Sequence, residues 1–230
     1  MSTPNEENNE QPVQGRIRKE NELRILKAAE KVFADNGFRG STTSAIAEEA
    51  GLPKANIHYY FGTKADLYRT VVDDIVKLWL SSFREITMED DPASTLADYI
   101  RAKMELSKNR PEASRVFANE LIRGAPRIKT YLSGELKEWV EYKAKILDTW
   151  IEQGKMAPVD STRLIFHIWA MTQTWADFGV QWSAILGNED GLTQDDFDTA
   201  TDAIISTVLR NCGLMPLPPR KTDHSILPSN

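Results

Sequence analysis

The segment TTSAIAEEAGLPKANIHYYFGTK, residues 42–64, limits the possible folds more than any other part of the chain. It contains two short helical pieces separated by Ala50-Gly51-Leu52-Pro53. Isolated helices of this length are marginal in water, so both pieces require a scaffold. Thr42 or Thr43 can cap the first piece, with Ile46, Ala47 and Ala50 on its inner side and Gly51 at its end. The second runs from Pro53 to Tyr60, with proline in the first turn, where its missing N–H has no intrahelical partner to lose. Ile57 and Phe61 are four residues apart and can face inward with Ile46, Phe33 and Leu26. The scaffold is the helical pattern of residues 18–36, in which Leu23, Leu26, Ala29, Val32 and Phe33 recur near helical spacing before Asn36-Gly37 stops it.

A turn this short holds two helices at a steep angle. That is the helix-turn-helix arrangement, in which the second helix enters the major groove of DNA. The side chains suit the task. Lys54 can donate to guanine or neutralise a phosphate, Asn56 can pair with adenine, and Ala55 can touch a thymine methyl. The hydroxyls of Thr43, Tyr59 and Tyr60 can reach phosphates, and Thr43 and Lys64 stand at helix starts that favour phosphate oxygens. The plain alternative is a capped three-helix bundle whose polar face meets only water or the rest of the chain. A formal net charge of −6 argues against nucleic acid, but the charge is uneven. Residues 16–69 carry ten Lys and Arg against seven Asp and Glu, which leaves a mildly basic head on an acidic body.

The remainder reads as helix almost throughout: 64–83, 93–108, 111–123, 126–153 with a bend near Ser133-Gly134, 161–186 and 195–211. The expected fold is all-α with nine helices. Residues 1–17 are expected to form a disordered arm, 18–63 the helix-turn-helix domain, 64–213 a larger helical domain and 214–230 a proline-rich tail. No run reaches the roughly 18 apolar residues of a membrane span, and MSTPNEENNE lacks the features of a signal peptide, so a cytoplasmic protein is expected. A single cysteine, Cys212, leaves no intramolecular disulfide. His58, His167 and His224 are scattered, with no metal-ligand spacing, acid/base motif or glycine-rich phosphate loop. No metal, cofactor or enzymatic activity is expected. A helical interaction protein that never touches DNA is the rival class.

One head makes too few contacts for selective binding, whereas two heads one duplex turn apart read a palindromic operator. A homodimer is therefore expected, with Ile165, Ile168, Ala176, Val180, Ile204, Ile205 and Val208 as candidates for a twofold interface; the alternative is that they fill the monomer core. All six tryptophans lie beyond the head: Trp79, Trp139, Trp150, Trp169, Trp175 and Trp182. Trp169 and Gln173 can share one helix face that Asp177 extends. An aromatic wall with an amide beside it suits a flat polar heterocycle, although tryptophans at this spacing can also be core.

The stretch ILKAAEKVFADNGFRGSTTSAIAEEAGLPKANIHYYFGTKADLY closely resembles the DNA-binding domain of the TetR family of bacterial transcriptional regulators. The resemblance implies a three-helix head with Lys54, Ala55, Asn56 and His58 nearest the bases and Thr43, Tyr59, Tyr60 and Lys64 on the backbone. It also implies an effector-binding and dimerisation domain after the head. Gly51-Leu52-Pro53-Lys54 departs from the commoner glycine-valine-serine form, and its proline removes a hydroxyl and a backbone donor. From IVKLWLSSFREI to KMAPVDSTRLIFHIWAMTQTWADFGVQ the body resembles the branch of the family that regulates pyrimidine utilisation. That implies release from DNA by uracil or thymine, with Trp79, Trp169 and Gln173 as pocket residues. Trp175 stands where a smaller aromatic is expected. A purine, an aromatic acid or a hydrophobic compound is the alternative effector.

Overall fold

The computed structural model describes residues 10–81 and 86–215, and every regular element in it is helical. The helices are α1 (Glu10–Gly40), α2 (Thr43–Ala50), α3 (Lys54–Phe61), α4 (Lys64–Ser81), α5 (Pro92–Asn109), α6 (Pro111–Ile122), α7 (Lys129–Tyr131), α8 (Lys137–Glu152), α9 (Ser161–Asp177), α10 (Gly179–Leu186) and α11 (Gln194–Asn211). The all-α expectation holds, with more segments than the nine expected. The expected helix 126–153 is divided by a π-helical turn at Leu132–Leu136, around the Ser133-Gly134 bend. The expected helix 161–186 breaks at Phe178, whose φ of −120° and ψ of 29° leave helical geometry. At the other end, α1 begins at Glu10, so helix extends into the stretch expected to be a disordered arm. Most of the expected tail, residues 216–230, lies outside the described residues.

Local chemistry sets most helix ends. Thr42 caps α2 by accepting from the Ala45 N–H at 3.1 Å. Asp160 caps α9 through the Arg163 N–H at 2.8 Å, and Thr193 with Asp196 forms a reciprocal capping box on α11. Gly37 stops the regular part of α1 at φ 63°, where Ser41 Oγ donates to the carbonyl oxygens of Val32 and Gly37 at 3.1 and 2.7 Å.

The chain divides into two compact units. The first contains the described residues up to Trp79 together with Arg110–Thr130; the second contains Leu80–Asn109 and the described residues from Tyr131 onward. This differs from a division at residue 64, because most of α4 and all of α6 pack with the head. In the first unit Ile25, Phe33, Ile46, Ile57, Leu67 and Ile75 are fully buried, the Phe33 and Tyr68 rings meet edge to face at 4.9 Å, and Trp79 meets Phe117 at 4.6 Å. In the second unit α5, α8, α9 and α11 enclose Leu96, Ile100, Ile146, Leu147, Trp150, Ile165 and Leu209. Cys212 is buried in that core, which pushes its thiol up to about 11 and leaves it an inert packing group.

Six of the seven residues expected at a twofold interface belong to this core. Ile165, Ile168, Ala176, Ile204, Ile205 and Val208 are all buried within the chain itself, so they have almost no surface to offer a partner. Only Val180, 86 % exposed, remains available. The physical reason is that α9 and α11 each turn one apolar stripe inward, and those six residues form that stripe.

Candidate nucleic-acid interface and effector wall

The head is built on α1. Arg24 reaches across to the end of α2, where Nη2 donates to the Ala50 carbonyl oxygen at 2.8 Å and approaches that of Gly51 at 3.4 Å. Gly51 adopts the left-handed conformation at φ 61°, and its N–H returns to Glu48, so the turn is closed from both sides. Pro53 is the N-cap of α3 rather than a residue of its first turn, and its fixed φ of −57° aims the following helix. Ile57, 1 % exposed, anchors α3 to the head.

With Ile57 inward, Lys54, Ala55, His58 and Tyr59 are exposed, and Asn56 and Tyr60 are half-buried. Tyr59 is 71 % exposed, a large apolar ring with no covering group on its outer side. It stands near the Arg18 guanidinium, 6.0 Å from the ring centre, and 5.1 Å from the ring of Tyr60. Asn21 Nδ2 lies 3.5 Å from Tyr60 Oη, a long contact that orients the phenol from α1. His58 Nδ1 lies 2.9 Å from the Gly62 carbonyl oxygen; because a carbonyl only accepts, Nδ1 carries the proton and Nε2 is left as the outward acceptor of the neutral ring. Thr43 is half-buried at the first position of α2.

Lys64 behaves differently from the expectation of a phosphate contact. Its ammonium donates to the carbonyl oxygens of Phe38 and Ser41, both at 2.8 Å, and lies 4.5 Å from the Phe38 ring centre. It ties the start of α4 to the α1–α2 connection. Sequence reasoning also missed Arg24, Arg18 and Asn21, although all three recur along α1 at spacings that place them on the side facing the short helices.

Within the second unit, Trp169 of α9 donates its indole N–H to Tyr99 Oη of α5 at 2.5 Å. The Trp139 ring of α8 lies 6.1 Å from Trp169, and Phe166 lies 5.0 Å from it. Two lysines accompany this wall. Lys103 and Lys143 are each 4 % exposed, and Lys143 Nζ sits 5.8 Å from the Trp139 ring centre. Burial pushes Lys103 down to about 8, opposed by the Asp177 carboxylate. Tyr99 is pushed well above its ordinary value by burial. Gln173 and Asp177 are half-buried further along α9. Trp175 belongs to a separate cluster, stacked on Trp182 at 4.4 Å with Phe197 beside it. Trp79 lies in the first unit, against Phe117. Tyr99, Lys103 and Lys143 went unnoticed in the sequence. The readable signal was a lysine within the apolar stripe Leu96, Ile100, Met104 of α5.

Residues 25–71 match the family of bacterial regulatory proteins named tetR, and residues 72–215 match the C-terminal region of YcdC-like proteins, a TetR-type domain. The chain belongs to the TetR family. As a TetR-family protein it is a ligand-responsive, DNA-binding transcriptional regulator that works as a homodimer, and it is not an enzyme. It is 40 % identical over 163 residues to the HTH-type transcriptional regulator RutR of Escherichia coli strain K12, a match covering 71 % of this chain and 77 % of that one. Its fold is similar to that of the regulator SCO4942 from Streptomyces coelicolor, with a TM-score of 0.64, 21 % identity and coverage of 83 % of this chain and 97 % of that one. A second similar fold, that of AibR in complex with isovaleryl coenzyme A and operator DNA, aligns with a TM-score of 0.63 and 17 % identity over 81 % of this chain and 97 % of that one. No described helix is long and apolar enough to cross a membrane.

Proposed function

We propose that this TetR-family protein is a repressor that reads a palindromic operator with α3 of each protomer and leaves DNA when uracil or thymine binds its body. The observation that carries the DNA half is the exposed set Lys54, Ala55, His58 and Tyr59, with the half-buried Asn56 beside them, on a helix whose entry turn is held by Arg24. A helix presented this rigidly enters the major groove without reorganising, and a short residue such as Ala55 between longer polar ones lets the backbone approach the bases. Lys54, Asn56 and His58 read base edges, while Thr43, Tyr59 and Tyr60 meet phosphates. Lys64 contributes indirectly, by fixing the connection that leads into α2.

For pairing, the proposal uses the apolar surface that the chain leaves open. Val180 stands with Phe178, Ile185 and Leu186, which are 55 %, 68 % and 46 % exposed, at the end of α9 and along α10. Covering such a patch with its twofold copy removes apolar area from water.

For the effector, Trp169, Trp139 and Tyr99 supply flat apolar faces, and the half-buried Gln173 amide offers one donor and one acceptor group to the edge of a pyrimidine. Asp177, beside Lys103, extends the polar side of the wall. The resemblance of the body to the pyrimidine-regulating branch supports uracil or thymine over a purine, an aromatic acid or a hydrophobic compound. The ligand must favour the DNA-free state, since equal affinity for both states shifts nothing. The test is an operator-binding titration with uracil and thymine at fixed salt. Affinity should fall while sedimentation still shows the dimer; unchanged operator affinity at saturating pyrimidine rejects the ligand assignment.

A further inference from the structure

A pocket lies wholly within the first unit, between α1, α4, α6 and the connection that follows α6. It has a volume of about 420 Å³, within the usual range of small-molecule sites. Its floor is apolar and rigid. Phe33, Tyr68 and Val116 are buried there, and Phe38 meets Tyr68 edge to face at 5.0 Å. Its rim is basic: Arg39, Arg123 and Arg127 line it against one carboxylate, Glu120.

That carboxylate is already engaged. Glu120 is 1 % exposed; its Oε2 accepts from Tyr68 Oη at 2.8 Å, its Oε1 accepts from the Arg127 N–H at 2.7 Å, and Arg127 Nη1 stands 3.6 Å from it. Arg127 Cζ also lies over the Phe38 ring, 3.8 Å from its centre, so it serves as part of the wall. One arginine therefore balances Glu120. The guanidinium of Arg123 rests beside Gly37, with Nη2 3.1 Å from where a Cβ would stand, so the missing side chain at position 37 makes room for it. Neither Arg123 nor Arg39 has an acidic partner among the described residues, which leaves the mouth with two uncompensated positive charges over an aromatic floor. The connection holding Arg123 and Arg127 is shaped for this placement: Gly124 and Ala125 both take positive φ, 85° and 55°, and Ala125 is the one non-glycine residue to do so among the described residues.

We propose that this pocket is a binding site for a small organic anion with a flat apolar ring, held by its carboxylate or phosphate against Arg123 and Arg39, with its ring against the half-buried Phe38, which Phe33 and Tyr68 back from the core. Forked guanidinium donors match the oxygens of either anion, and the aromatic floor selects a ring over a bare ion. The site is distinct from the effector wall around Trp169. Because Phe38 also carries Lys64 against its ring, an occupant bears directly on the connection that leads into α2.

The test uses the full chain and calorimetric titration with benzoate and with phenyl phosphate, with benzyl alcohol as the neutral control. Saturable binding of either anion at one site per protomer is expected, and which one binds distinguishes a carboxylate from a phosphate ester. Arg123→Glu, an exposed position, should weaken that binding by about tenfold or more, with Arg123→Gln as the substitute if circular dichroism shows the first variant unfolded. Gln173→Ala should leave it unchanged. The proposal is overturned if neither anion binds saturably, if benzyl alcohol binds as well, if the folded Arg123 variant keeps its affinity within about twofold, or if Gln173→Ala abolishes binding.

Discussion

Lys64 Nζ donates to the carbonyl oxygen of Phe38 at 2.8 Å, and the same ammonium donates to Ser41 at 2.8 Å. A lysine at a helix start therefore closes a backbone loop from inside the head. The loop carbonyls of Phe38 and Ser41 follow the end of regular α1 helix, where oxygens are left without partners. Lys64→Met retains much of the apolar stem and removes both bonds, so it should cost about 1–3 kcal/mol of stability in denaturant unfolding. Because the charge is used internally, the salt dependence of operator binding should keep its slope. A slope reduced by about one charge would instead place Lys64 on a phosphate.

The outward face of α3 is proposed to make two kinds of contact. Asn56→Ala should narrow the affinity gap between operator and mismatched sites by about 1–3 kcal/mol, because it removes a base-edge pair. Tyr59→Phe should weaken binding to all sequences alike, since the phenol of this 71 % exposed residue is proposed to meet the DNA backbone. Gel shifts against the operator and against scrambled DNA at one salt concentration check both. Identical behaviour of the two variants contradicts the division.

Lys103 gives a pH signature. Its folded-state pKa, lowered to about 8 from 10.5 chiefly by burial, lies below the unfolded value. At lower pH both states hold the proton and the full cost of burying the charge is present. As pH rises from the folded to the unfolded value, the unfolded chain binds more protons, and stability increases. Lys103→Met should therefore stabilise the protein at neutral pH by about 1–3 kcal/mol, less whatever Asp177 loses, and the gain should shrink above the folded pKa. Thermal melts across that range check the sign.

Val180 tests the proposed pairing surface. At 86 % exposure it contributes little to the protomer core, so Val180→Asp should leave helicity and protomer folding intact while shifting sedimentation toward monomer. Operator affinity should fall with it, since each protomer then carries a single head. Ile204→Asp, by contrast, should unfold the protomer, because Ile204 is buried in its own core.

Much of the head was legible in the residues themselves. Thr42, Gly51, Pro53 and Ile57 carry local instructions, a cap, a left-handed turn, a fixed φ and an apolar anchor, and each acts over a few residues. The break at Phe178 went unread although Gly179 follows it directly, because a single glycine inside an apolar helical pattern does not by itself end a helix. The inner row Ile165, Ile168, Ala176, Ile204, Ile205 and Val208 could equally have served a core or a partner, because periodicity marks a buried face without saying what buries it.

The order of the residues by itself determined the helical class, the two short helices and the row of side chains that α3 turns outward, because capping and 3.6-residue periodicity are local properties. Only the tertiary structure decided that Lys64 closes a loop, that Arg24 locks the turn, that Trp169 meets Tyr99, and that Arg123 and Arg39 stand over a ring of aromatic groups. Those pairs are far apart along the chain, and no local preference encodes which distant groups packing will bring together.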